Sequence, residues 1–433
     1  MFERPKSGER AVLVQVDFRK AVEAAPNFQE FEELARAAGA EAVLSVYVTR
    51  DRPDPKFFMG KGKVEELNQS VHSLNVQLVL INHDLSPSQE RNLEKELKCR
   101  VLSRTGLILD IFASRAHTFE GKLQVELAQL QHVSTRLVRG WTHLESQKGG
   151  IGLRGPGETQ LETDRRLVRG RIQVIKQRLA QVQLQRQQNR RARIKQAIPT
   201  VAIVGYTNAG KSTLFNQLTG ADVLIANQLF ATLDPTARTI TVPGIGSMVL
   251  IDTVGFVQKL PHTLVDAFRA TLEETALADL LIHVVDAHSA YQEDNILAVD
   301  QVLAEIGASE IPQILVLNKA DLLDNAAAVM GQVELKVDEE VSTQTSQTSK
   351  IWISAAQNLG LTQLKSLVAK YVSQDMFSTE LDLAPNEGAL RAALYALKAV
   401  EKETDLEEGG WKLSIKLTTS QWKKLTREKE KRG

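Results

Sequence analysis

The chain has 433 residues, and at about 150 residues per domain that length excludes a single small module and points to roughly three domains. Lys plus Arg and Asp plus Glu balance at 53 each, so the molecule as a whole has no net field to steer it toward nucleic acid or an anionic membrane, and any such attraction must be local. The single cysteine, Cys99, excludes an internal disulfide framework, fits a reducing compartment and reads as a small buried apolar residue.

Residues 1–10 are charged and lack the apolar core of a secretory signal. The most apolar stretch, 278–285, carries Asp279 and His283 and falls far short of the ~20 residues that span a bilayer. A cytoplasmic protein without a transmembrane segment is expected. Residues 1–113 alternate short apolar runs at 11–16, 42–48 and 76–81 with amphipathic stretches at 28–38 and 63–74. That order predicts an α/β domain with a largely parallel sheet. Gly60, Lys61 and Gly62 read as a helix-start turn, and no second nucleotide site is assigned to them.

From 114 to 198 the pattern changes. Leu123, Leu127, Leu130 and Leu137 keep one apolar stripe on one helix face, and a second stripe follows at Ile172, Ile175, Leu179 and Val182. Between them, 148–157 is too rich in glycine, with Pro156, for any helix to hold. Two long antiparallel helices joined by a Gly-rich tip are the simplest solution. This segment holds seventeen Lys or Arg against six Asp or Glu, a local cationic excess hidden by the balanced total. Trp141, near the tip, reads more as a cap on the hairpin core than as a stacking platform.

Residues 199–372, opening at Pro199, again alternate strands and helices, with a solvated loop expected over 339–350. A small α+β unit, 373–433, follows, with a helix around 389–402, a turn at Gly409 and Gly410, a strand over 411–417 and a charged tail.

The strand pattern at 200–204 runs directly into Gly205, Tyr206, Thr207, Asn208, Ala209, Gly210, Lys211 and Ser212, then into a helical stretch opened by Thr213. This is a complete phosphate loop in its strand-to-helix context. Its glycines let backbone N–H groups close around phosphates, and the helix N-terminus adds the positive end of a dipole. Lys211 is expected on the β and γ phosphates and the Ser212 hydroxyl on Mg²⁺.

ATP and GTP share such a loop, so the base reader decides. Asn318, Lys319, Ala320 and Asp321 follow the apolar strand at 313–317. A carboxylate there accepts from the two adjacent N–H groups on the Watson–Crick edge of guanine, a donor pair that adenine lacks. Lys319 is expected to lay its stem over the purine, while Ser354, Ala355 and Ala356 offer backbone N–H to the guanine oxygen.

Two γ-phosphate sensors lie between. Asp252, Thr253, Val254 and Gly255 end a strand, with Asp252 expected to hold Mg²⁺ through water and the Gly255 amide to bond the γ phosphate. The other falls within Phe230, Ala231, Thr232, Leu233, Asp234, Pro235 and Thr236, with Thr232 or Thr236 as the metal ligand. Phe256 stands where many switch GTPases carry a water-orienting glutamine, and a phenyl ring neither donates nor accepts for that water. Intrinsic hydrolysis is therefore expected to be slow, and help in trans can contribute ~10³ to 10⁵ in rate. A partner or an ordered ion is expected to complete the site. Asn208 is a candidate for holding a monovalent cation and equally reads as a turn asparagine. The expected cofactors are GTP or GDP with Mg²⁺. The fold class is α/β: a P-loop GTPase domain plus an N-terminal α/β domain with a long helical hairpin and a small C-terminal α+β domain.

The stretches 205–213, 230–236 and 252–256, together with Leu260-Pro-His-Thr-Leu-Val-Asp-Ala-Phe-Arg269, resemble the HflX GTPases. So do Phe58-Met-Gly-Lys-Gly-Lys-Val-Glu-Glu66 and Gly152-Leu-Arg-Gly-Pro-Gly-Glu-Thr-Gln-Leu-Glu-Thr-Asp164. The resemblance favours Thr232 over Thr236, which makes Lys211, Thr232 and Gly255 the expected catalytic set and Ser212 with Thr232 the metal ligands. It implies a protein, expected as a monomer, that binds the large ribosomal subunit and its ribosomal RNA rather than DNA. Such a protein splits stalled ribosomes under stress such as heat and hydrolyses GTP faster when bound there. A cationic hairpin with a narrow tip agrees with that partner, since ribosomal RNA is a dense array of phosphates. A GTPase of ribosome assembly, or an RNA-binding or remodelling protein regulated by GTP, are the competing readings.

Overall fold

A computed structural model describes residues 8–19, 27–139, 160–195, 198–220, 229–230, 233, 236–242, 246–257, 272, 274–337, 347–374, 376–396, 399–406 and 409–418. The Gly-rich tip, Trp141, Ala231, Thr232 and Asp234 lie outside those residues, as does the charged tail. The chain divides into two compact units, one of residues 1–181, 226–234 and 255–270, the other of 182–225, 235–254 and 271–433.

The first unit runs β1 (Arg10–Phe18), α1 (Phe28–Ala37), β2 (Glu41–Arg50), α2 (Lys61–Ser73), β3 (Leu78–Ile81), α3 (Pro87–Leu97), β4 (Arg100–Ser103) and α4 (Arg104–Arg115). All the strand pairings are parallel, in the order β2-β1-β3-β4. The strand–helix alternation continues past residue 81, where the sequence reading assigned no further element. α3 begins with a capping box, Ser86 and Gln89 bonding each other's backbone N–H, with Pro87 preset for the first turn.

At the C-terminal ends of these strands the polar side chains satisfy one another. Arg104 pairs with Glu30 and donates to Asn82 Oδ1 at 2.8 Å. Asn82 in turn donates to Gln15 Oε1 at 2.8 Å, and Thr105 donates to Asp84. Cys99 is half-buried, and burial pushes its thiol up to about 11.

In α5 (Phe119–Arg139) and α6 (Gln160–Lys195), Leu123 and Leu127 pack on Ile175, flanked by Leu130, Ile172 and Leu179. Arg171 donates through Nε and Nη2 to the two carboxylate oxygens of Glu126, at 2.6 and 2.9 Å, tying the two helices. Arg136 of α5 reaches Glu90 of α3 at 2.6 Å. Phe230 belongs to this unit, its ring edge-on to Phe112 of α4 at 4.5 Å.

The second unit holds β5 (Thr200–Gly205), α7 (Lys211–Thr219), β6 (Thr236–Val242), β7 (Gly246–Asp252), β8 (Leu280–Asp286), α8 (Gln292–Glu305), β9 (Gln313–Asn318), α9 (Ala326–Val329), β10 (Val333–Val337), β11 (Gln347–Trp352) and α10 (Leu361–Gln374). Its seven strands lie in the order β10-β11-β9-β8-β5-β7-β6, parallel in the middle and antiparallel at both edges. Residues 347–350, expected in a loop, instead open β11. They pair with β10, and Ser349 is wholly buried, its hydroxyl 2.8 Å from that of Tyr371.

A three-stranded antiparallel sheet, β12 (Met376–Leu383), β14 (Trp411–Thr418) and β13 (Val400–Asp405), follows with α11 (Gly388–Ala396). The helix expected to reach residue 402 stops at Ala396. Val400 and Lys402 are drawn into pairing with Ile415 and Ser414, while Leu383, Leu394, Leu413 and Ile415 form the small core.

Candidate nucleotide site

β5 is buried along almost its whole length and delivers the chain into the phosphate loop at Gly205. That residue has φ +148°, and a Cβ there would lie 2.2 Å from the Val284 carbonyl oxygen, so glycine is required. Gly210 has φ +91°, and a Cβ would lie 2.3 Å from Asn318 Nδ2. Thr207 and Ala209 are buried, while Asn208 is exposed with φ +61°. Thr213 is half-buried within α7.

Lys211 opens α7 with a buried side chain whose Nζ donates to the Tyr206 carbonyl at 2.7 Å. Burial pushes its ammonium down to about 8, opposed by the charge of Asp252. Ser212 Oγ donates to Asp252 Oδ2 at 2.9 Å, and Asp252 is wholly buried at the end of β7. Thr253 Oγ1 bonds the Ile203 carbonyl at 2.6 Å, clamping the segment after β7 onto β5. Val254 is buried behind it.

The second part of the candidate site is built on the ends of β9 and β11. Asn318 donates through Nδ2 to the Ala209 carbonyl at 2.8 Å and accepts at Oδ1 from the Ala355 amide at 2.9 Å, so one side chain spans from the phosphate loop to the 354–356 loop. Lys319 takes a left-handed backbone, φ +60°, and extends to Asp286 Oδ2 at 2.7 Å. Ala320 N donates to the Ile353 carbonyl at 3.0 Å, and Asp321 accepts from Gln357 Nε2 at 3.2 Å. Ser354 Oγ accepts from Gln357 N at 3.2 Å, and Ala356 is exposed beside it.

Within one unit, therefore, the fold brings together the phosphate loop, Asp252, Asn318 to Asp321 and Ser354 to Ala356. Phe230, Leu233, Gly255 and Phe256 are buried and belong to the other unit. Among the described residues no three His, Cys, Asp or Glu side chains cluster as a metal site. The half-buried Ser212 hydroxyl and the buried Asp252 carboxylate are hard oxygen donors, and that chemistry fits Mg²⁺ bound mainly by phosphate and water. Sequence reasoning missed Asp286 and Gln357. Asp286 lies opposite Asn318 in the β8–β9 register, a relation that no linear motif carries.

Residues 26–113, 115–193 and 200–319 match three family models, described as GTP-binding GTPase N-terminal, GTP-binding GTPase Middle Region and 50S ribosome-binding GTPase. The chain is 51% identical to GTPase HflX of Escherichia coli over 99% of its own length and 98% of the relative's. It is 41% identical to GTPase HflX of Magnetococcus marinus, covering 94% and 92%. Among solved structures, a GTP-binding protein of Sulfolobus solfataricus in complex with GDP is 24% identical with a TM-score of 0.43, covering 84% of this chain and 99% of that one. Near-complete coverage of relatives with one shared name, together with a phosphate loop in its folded context, places this chain in the HflX family of GTPases, enzymes that hydrolyse GTP.

Proposed function

We propose that this GTPase binds the large ribosomal subunit through ribosomal RNA in the cytoplasm, is stimulated there to hydrolyse GTP, and splits or rescues stalled ribosomes under stress. The observation that carries the reading is a cationic helix in the same chain as a GTP site. Along α6, Arg166, Arg169, Lys176 and Arg178 are exposed, and Arg171 is tied to Glu126 of α5. An exposed cationic helix suits a phosphate lattice better than a protein partner.

At the site, the backbone of Gly205 to Thr213 cradles the phosphates and Lys211 crosses to the β and γ groups, exchanging the Tyr206 carbonyl for phosphate oxygens. Ser212 and Thr232 would hold Mg²⁺, with the Asp252 carboxylate supporting them, and the ion when bound would supply neutralising charge to the phosphates. Gly255 offers its amide to the γ phosphate, and Phe230 to Asp234 form the segment that senses it. Asn318, Lys319, Ala320 and Asp321 bind the base together with Ser354, Ala355 and Ala356. Asn208 helps to hold a monovalent cation. Phe256 contributes nothing to orienting water, which is why stimulation comes from the ribosome.

The test is GTP turnover with and without purified large subunits, with Lys211→Ala as control and deletion of 149–157 as the second arm. Acceleration by subunits that is lost with the deletion, while nucleotide affinity is kept, supports the reading. Binding restricted to immature particles favours ribosome assembly, and no acceleration at all removes the ribosomal half of the proposal.

A further inference from the structure

The loop after β11 is closed by reciprocal backbone bonds between Ser354 and Leu359, at 3.1 and 3.0 Å. Its turn uses Asn358 at φ +59° and Gly360 at φ +76°, where a Cβ would come within 2.9 Å of the Trp352 carbonyl. Inside this closed loop the Gln357 backbone is anchored to Ser354 Oγ, and its side-chain amide donates to Asp321 Oδ2 at 3.2 Å. Two further bonds lock the same pair of loops together, Ala320 N to the Ile353 carbonyl and Ala355 N to Asn318 Oδ1.

We infer that Gln357 is a specificity-determining positioning residue, which holds the Asp321 carboxylate in the plane needed to read guanine. The inference rests on Asp321 being the guanine reader. A carboxylate has about four acceptor positions on two oxygens. Guanine N1–H and the exocyclic amine fill one on each oxygen, leaving a second position on Oδ2 for Gln357. Asp321 is half-buried in a short 3-10 turn, Ala320–Leu322, so its side chain has room to rotate. A third, charge-assisted bond from a rigid loop restricts that rotation before the base arrives, so less ordering is left to binding. Because the two guanine bonds need both oxygens aligned at once, loss of the restraint falls more heavily on guanine than on hypoxanthine, which lacks the exocyclic amine.

The experiment is calorimetric titration of the full chain with GDP, IDP and ADP, for the parent, Gln357→Ala, Gln357→Glu and Asp321→Ala. Gln357→Ala is expected to weaken GDP about 3- to 10-fold and IDP by less than about 2-fold, narrowing the GDP-to-IDP preference. Gln357→Glu sets two carboxylates side by side and is expected to weaken GDP about 30-fold at pH 7.5. Relative to the parent at each pH, that loss should shrink toward pH 5.5, as a proton shared between the carboxyls restores a donor to Asp321. A merely structural glutamine would not produce this acid rescue. A GDP-to-IDP ratio unchanged in Gln357→Ala, or a Gln357→Glu defect that ignores pH, overturns the inference. Parental GDP-to-ADP preference in Asp321→Ala would instead sink the base reading beneath it.

Discussion

The parallel sheet of the first unit and the parallel centre of the mixed sheet in the second both finish in polar loops, and they use them in opposite ways. At the ends of β1, β3 and β4 the charges are consumed internally: Arg104, 3% exposed, meets Glu30, 8% exposed, and the amides of Asn82 and Gln15 extend the chain of bonds. At the ends of β5, β7 and β9, Lys211 is 6% exposed, yet its ammonium donates to a neutral backbone carbonyl, and the Asp252 carboxylate accepts from a hydroxyl. The carboxyl edge of an open α/β sheet is the usual place for a ligand. The contrast teaches that the topology supplies such an edge twice, and that the pairing of its charges decides whether the edge becomes framework or binding site.

Four substitutions and one titration probe this contrast. Lys211→Ala should lower the turnover rate by about 10³-fold with little change in melting temperature, read by single-turnover hydrolysis. Arg104→Ala should do the converse. By leaving Glu30 buried without its partner it should cost about 3–5 kcal/mol in chemical denaturation, while GTP turnover per folded molecule holds.

The next effect is on pH. Burial pushes His283 of β8 down to about 4, against a hydrogen bond with Gln313 that acts upward. In the unfolded chain a histidine takes its proton near pH 6.5. The resulting stability is therefore complete above that pH and is lost as pH falls toward 4, by up to about 3 kcal/mol. Urea midpoints from pH 7.5 to 4.5 would display the slope, and His283→Asn should flatten it.

Asp286→Asn should loosen Lys319 and weaken GDP binding by about 0.5–1 kcal/mol, measured by nucleotide titration. The smallest effect concerns protons. With Lys211 near 8 before phosphates arrive, nucleotide binding at pH 8 should take up roughly half a proton and at pH 6.5 almost none, seen by calorimetry in buffers of differing ionisation heat.

The phosphate loop was legible because local stereochemistry dictates it: Gly205 and Gly210 occupy backbone regions and close approaches that no other residue tolerates. The helix stripes were legible for a similar reason, since Leu123, Leu127 and Ile175 do form the apolar seam between α5 and α6. Polar strands were not. Gln347 to Lys350 read as solvent-facing until β9 and β10 flank them, and Val400 reads as the end of a helix until β14 offers it a partner. α3 was recoverable in principle, because Ser86, Pro87 and Gln89 spell a helix start. Asp286 and Gln357 were not, since each matters only through a register or a loop closure that brings distant residues side by side.

Asn318 makes the pocket a single mechanical span. One amide is gripped at both ends, by a carbonyl of the phosphate loop and by an N–H of the 354–356 loop, and Gly210 has no side chain because that amide fills the space. On the proposed reading of the site, errors of nucleobase and errors of phosphate count therefore share a common support. Cutting that one strut would leave two half-pockets, each accepting molecules that the intact protein turns away.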